Sequence, residues 1–245
     1  MDPADYIAAI RREGAAVAAA ARAGTDATVP SCPGWTVADL VAHLGVAHRW
    51  AYENVSTRAT ELVRGAKHKF GIEPSDPRLS AWFDEGVEQL TSVLESTDAD
   101  TPVATFAPPA TAGFWGRRMA HETLIHRWDA ESAHGQPGPF DAELAADGID
   151  EGLNVFVPFV RGGSQVKGSG ETFHIHRTDG EGEWLVTVED SGVRVSREHA
   201  KGDVALRGRA EDLLLWLWHR TPPDNLEVFG DPALLDRWFE LIPPV

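Results

Sequence analysis

The chain has one cysteine, Cys32, in 245 residues. That excludes an intrachain disulfide and a cysteine-rich zinc finger. Basic residues are also scarce: 22 Lys and Arg stand against 38 Asp and Glu, a formal net charge of −16. Such a surface repels phosphate backbones and anionic lipid head groups, so nucleic acid and membrane partners are disfavoured, and its simplest effect is solubility. No stretch approaches the ~20 apolar residues of a membrane span. The opening "MDPADYIAAIRREG" has acids where a signal peptide has a basic end, and Arg11, Arg12 and Glu13 break its apolar run. The expected compartment is the cytoplasm. There is no internal repeat, no P-loop and no dinucleotide fingerprint.

What is present suffices for a real core: 42% hydrophobic residues and nine tryptophans. The first half has helical periodicity. Asp2 and Pro3 open an alanine-rich helix that ends at Gly24. Thr36 and Asp39 have the spacing of a capping box at the head of a second helix. Asp76 and Pro77 open a third, with Phe83, Val87, Leu90 and Leu94 as its stripe. After a loop rich in Pro, Thr and Ala, a fourth helix carries "HETLIHRWDAE", from His121 to Glu131, and is stopped by Gly135 and Pro137. These four predict a bundle over residues 1–140. A helical segment near 141–156 follows, and "RGGSQVKGSG" reads as a loop. "TFHIHRT", "EWLVTVED" and "GVRVS" then alternate as short strands. "VALRGRAEDLLLWLWHR" and "LEVFGDPALLDRWFE" each read as a strand leading into a helix. The expected fold class is α+β, with a second domain over 141–245.

The chemistry concentrates in the fourth helix. At 100° per residue, Trp115, Met119, Glu122, His126, Asp129 and Ala133 share one side, with Leu124 and Trp128 roughly opposite. Carboxylates beside apolar neighbours need a cation or a hydrogen-bond network. Glu122 and His126 are four apart and can converge on one ion, though a plain intrahelical Glu–His hydrogen bond fits the same spacing. The zincin HExxH pattern is not met, because His121 and His126 are five apart and face about 140° away from each other. A third ligand must come from elsewhere. On the second helix, Val37, Leu40, Val41, Leu44, Ala47 and Ala51 define an apolar face that contains His48 and has His43 at its edge, so periodicity favours His48. His174 and His176 alternate on a strand and point to one side, which suits either metal binding or an ordinary strand face.

"CPGWTVADLVAHL", followed about eighty residues later by "HETLIHRWDAE", resembles the mycothiol-dependent maleylpyruvate isomerase family of actinobacterial proteins. The C-terminal "VALRGRAEDLLLWLWHR…LEVFGDPALLDRWF" is similar to that family's second domain. The resemblance implies a DinB-like metal-binding four-helix bundle followed by a sterol-carrier-like α+β domain. Its implied ligands are His43, Glu122 and His126, in place of His48, holding a divalent metal, zinc foremost and nickel as an alternative. It further implies Asp129 as an active-site acid or a support behind the ligands, where the plain alternative is a helix-surface partner for Arg127 or Arg118, and Arg220 as the contact to a substrate carboxylate, where the plain alternative is a surface pair with Glu211 or Asp212; His219 stands where a small residue is expected. The co-substrate implied is mycothiol, whose thiolate adds to an activated double bond for cis–trans isomerisation, or attacks another small electrophile in S-transfer. Neither reaction needs a catalytic cysteine, which leaves Cys32 uncommitted, and the expected state is a monomer or homodimer. A non-catalytic metal- or ligand-binding stress protein and a metal-dependent hydrolase are the alternatives.

Overall fold

In the computed structural model, which describes residues 1–135, 137–160 and 167–241, the chain divides into two compact units, Met1–Gly138 and Pro139–Val245. The first unit is built on four long helices: α1 (Pro3–Ala23), α2 (Val37–Ser56), α4 (Leu79–Ser96) and α5 (Ala112–Ser132), with a short α3 (Ala66–Phe70) between the second and third of them. Local chemistry sets their ends. Asp2 accepts from the Asp5 amide while Asp5 returns the bond, and Thr36 and Asp39 do the same for α2. The α1 and α2 helices each pack against both α4 and α5. Contact on two sides explains why α5 is buried nearly all round: Trp115 and Asp129 are buried on the side predicted, and Leu124 is equally buried on the other.

Inside this unit His48 is wholly buried, packed at a tilt against Phe83, with its Nε2 2.9 Å from the Thr123 hydroxyl. That hydroxyl donates to the Met119 carbonyl at 2.6 Å, so it accepts from His48 and fixes the neutral Nε2–H tautomer. Burial drives the His48 pKa down to about 3. An unfolded histidine takes a proton near pH 6.5, and the folded one refuses it until about pH 3. The resulting stability is whole above pH 6.5 and is lost as pH falls through that window. We expect His48→Leu to flatten the acid side of the stability curve. Its loss between pH 6.5 and 4.5, measured by urea unfolding, should be about 2–3 kcal/mol smaller than that of the wild type. Parallel curves would show that His48 does not govern the acid limb.

The second unit opens with α6 (Ala142–Glu151), capped by Asp141, and runs on as a π-helical segment, Gly152–Val160, which contains Pro158. A proline ring clashes with the carbonyl four residues back in an α-helix, and wider winding gives it room. Residues 161–166 of the expected "RGGSQVKGSG" loop lie outside the described residues. Strands β1 (Glu171–Arg177), β2 (Glu183–Glu189), β3 (Gly192–Ser196), β4 (Val204–Gly208) and β5 (Glu227–Gly230) form one sheet in the order β3-β2-β1-β4-β5. Only the β1–β4 pairing is parallel. One face buries Phe173, Ile175, Trp184, Val186, Val204 and Leu206. The α7 (Ala210–Leu217) and α8 (Ala233–Leu241) helices follow β4 and β5, and Trp216 and Trp238 from them lie with ring centroids 5.5 Å apart. The helix expected to run to Arg220 stops at Leu217. His219 takes a left-handed φ of 57°, and the Arg220 amide folds back to the Leu215 carbonyl. The left-handed turn, and not the prolines beyond it, ends the helix. Among the described residues no helix is long and apolar enough to cross a membrane.

Candidate metal centre

The centre lies where α2 meets α5 in the first unit. His43 comes from α2, and Glu122 and His126 sit one turn apart on α5. Glu122 Oε1 is 3.3 Å from His43 Nε2 and 3.3 Å from His126 Nε2. One nitrogen or oxygen from each of the three lies within 4.8 Å of the others, a grouping able to hold a metal ion. The side chains grade from solvent to interior: His43 is 45% exposed, Glu122 18%, His126 10% and Asp129 not at all. The edge carrying His43 is therefore open to solvent.

Glu122 is largely withdrawn from solvent, which alone would raise its pKa. The Arg118 guanidinium, one turn earlier and ion-paired to it, and hydrogen bonds from His126 and His43 outweigh burial and hold the carboxylate ionised, well below its usual range. His126 is buried, which lowers its pKa, but Asp129 and Glu122 prevail and push it up to about 9. Asp129 takes the His126 Nδ1 hydrogen at 2.9 Å, which turns Nε2 toward Glu122 and His43. Asp129 also accepts from Ser31 at 2.5 Å and from the Cys32 thiol at 3.7 Å.

The segment before α2 builds the wall of the centre. Cys32-Pro33-Gly34-Trp35 is a β-turn closed by the Trp35 amide on the Cys32 carbonyl at 3.0 Å, with Gly34 at φ +85° as a type II turn requires. It points Ser31 and Cys32 at Asp129 and sets Trp35 against His43 (centroids 5.0 Å) and roughly parallel to His126 (6.5 Å).

Of the residues singled out in the sequence, His43, Glu122, His126 and Asp129 come together here. His48 does not join them, because its Nε2 is engaged by Thr123. Arg220 belongs to the second unit, where its Nη1 donates to the Trp218 carbonyl at 2.8 Å. Neither Ser31 nor Trp35, nor the pairing of Arg118 with Glu122, was anticipated from the sequence. The pairing was within reach, since Arg118 and Glu122 are an i,i+4 pair of opposite charge. Ser31 and Trp35 were not, because they approach α5 only in the folded chain.

A helical unit offering two imidazoles and a carboxylate at a solvent-facing edge, followed by a separate unit of mixed helix and sheet, is the architecture of a two-domain protein with a candidate metal centre. Residues 7–131 match the family model described as the mycothiol maleylpyruvate isomerase N-terminal domain, and residues 143–237 match the MDMPI C-terminal domain. The chain belongs to the mycothiol-dependent maleylpyruvate isomerase family. A solved mycothiol-dependent maleylpyruvate isomerase is similar in fold, with a TM-score of 0.64 at 14% identity over 93% of both chains. A histidine-to-alanine mutant of a mycothiol-dependent maleylpyruvate isomerase gives 0.66 at 12% identity, again over 93% of both. No curated protein matches the chain in sequence.

Proposed function

We propose that this chain is a divalent-metal-dependent enzyme that activates mycothiol for isomerisation of, or S-transfer to, a small electrophilic substrate, as in maleylpyruvate isomerisation. The observation that carries the reading is the approach of His43 Nε2, Glu122 Oε1 and His126 Nε2 at an edge open to solvent. Two imidazoles and a carboxylate are a donor set for zinc, and nickel accepts it as well. The orientation of His126 supports this: with Nδ1–H given to Asp129, Nε2 is the atom presented to the centre. A divalent ion held there would lower the pKa of a coordinated thiol, so that thiolate is available at neutral pH.

The remaining roles belong to the protein's own side chains. Asp129 keeps the His126 ring in register, and Arg118 keeps Glu122 ionised. Trp35 supplies an apolar wall beside His43. Arg220 is proposed as the anchor for a substrate carboxylate, which a chain of net charge −16 would otherwise repel. We expect Arg220→Ala to leave metal content unchanged and to weaken an acidic substrate by about 2–5 kcal/mol. Unchanged kinetics would overturn this role for Arg220.

The direct test is metal analysis of the purified chain combined with mycothiol consumption over a panel of electrophiles. Turnover without thiol consumption would favour hydrolysis, and metal without turnover would favour a binding protein. The same assay decides on Cys32. Its thiol donates to a carboxylate, and a thiolate there would face a like charge. Cys32→Ser should therefore keep both metal and mycothiol-dependent turnover. A folded, metal-loaded Cys32→Ser without turnover would require a protein-thiol mechanism instead.

A further inference from the structure

A second group of metal-ligating side chains lies on the sheet of the C-terminal unit. His174 and His176 are two apart on β1 and share a face. Glu183 of β2 is the direct cross-strand partner of His176. His199 arrives from a third segment, the connection between β3 and β4. All three imidazoles meet the one carboxylate: His174 Nε2 at 3.2 Å, His176 Nδ1 at 3.1 Å and His199 Nδ1 at 2.6 Å. One ligand atom from each of the four lies within 4.8 Å of the others. The His174 side chain is only 8% exposed, whereas that of His199 is 80% exposed, so the group has a buried floor and an open rim.

We propose that His174, His176, Glu183 and His199 form a second site for a divalent transition metal, Zn²⁺ being the best fit. Four ligands around Zn²⁺ at 2.0–2.1 Å sit about 3.3 Å from one another in a tetrahedron. His174 Nε2 and His199 Nδ1 lie 3.2 and 2.6 Å from Glu183 Oε2, and His176 Nδ1 lies 3.1 Å from Glu183 Oε1, so with one atom of each of the four within 4.8 Å of the others, small side-chain adjustments bring the group to that spacing. Three imidazoles and a carboxylate suit zinc, copper or nickel, and exclude calcium and magnesium, which take oxygen ligands. Four protein ligands complete a tetrahedron, which is the pattern of a structural site and not of a catalytic one. Its effect is to clasp the His199 segment onto β1 and β2.

The test is Zn²⁺ content after equilibrium dialysis of the full chain, compared among the wild type, His43→Ala, His176→Ala/His199→Ala and the triple variant. His43 and His199 are exposed, and His176 is partly so, which keeps the risk of misfolding low. Circular dichroism checks the fold of each variant. The double variant should hold one Zn²⁺ fewer per chain than the wild type, and Zn²⁺ should raise the Tm of His43→Ala but not that of the triple variant. Equal Zn²⁺ content in the double variant and the wild type, or a zinc-loaded His43→Ala whose X-ray absorption shows mainly water oxygens, would overturn the proposal. Failure of the helical centre shows instead as an unchanged ion count in His43→Ala, so the two sites are judged separately.

Discussion

His43→Ala is expected to yield a folded chain that binds one divalent ion fewer than the wild type and has lost mycothiol-dependent turnover. The side chain is 45% exposed, so its removal should cost little stability. It supplies the only one of the three candidate ligands that is not on α5. Loss of an outer-shell partner already costs a metal site roughly 10–100-fold in affinity, and loss of a ligand should cost more. His48→Ala should do the reverse. It removes a wholly buried ring and weakens the fold, but it leaves the ion in place. Metal analysis and urea unfolding of the two variants, side by side, make the check. Equal metal content in the wild type and His43→Ala would sink the assignment and return attention to His48.

The second large effect is on stability. Arg127 and Glu13 have side chains only 5% exposed, with Arg127 Nε on Glu13 at 2.8 Å, linking α1 to α5. Arg127 Nη1 also donates to Glu131 at 2.8 Å and to the Gly138 carbonyl at 2.6 Å, which holds the chain end beyond α5. Truncating Arg127 leaves buried carboxylate charge without this partner. Breaking a buried pair in that way costs about 3–5 kcal/mol. We expect Arg127→Ala to lower the Tm on the order of 10 °C. Glu13→Gln combined with Arg127→Met, which removes both charges, should recover much of the loss. A loss from Arg127→Ala below about 1 kcal/mol would show that solvent or neighbouring groups compensate the carboxylates.

Much of the fold is written locally. The caps at Asp2 and Thr36 are four-residue patterns, and the helices they start were legible because a capping box satisfies its own backbone hydrogens. The strands of the second unit were equally plain, because period-two alternation survives wherever one sheet face is buried. The end of α7 was not. Its stop at Leu217 depends on His219 taking a left-handed conformation, which histidine adopts more readily than most residues but still rarely, so the local sequence did not announce it. The turn to wider π-helical winding at Gly152 was likewise hidden in a stretch with continuous helical periodicity.

The sequence by itself determined which side chains on α5 can act together: a four-residue step puts Glu122 and His126 on one face, and the five-residue step keeps His121 out. By pattern alone it favoured His48 over His43. Periodicity pointed to the residue deepest in the apolar face, and family resemblance pointed to the one at its edge. Only the tertiary structure decided where each goes, through the packing of α2 on α5. It buries His48 against Phe83 and Thr123, where a neutral imidazole is the cheapest form, and it turns the edge residue toward Glu122. The same holds for the wall made by Ser31, Cys32 and Trp35, and for His199 beside Glu183. Each of these meets partners distant in sequence, and such contacts are fixed by how elements pack, which local pattern does not encode.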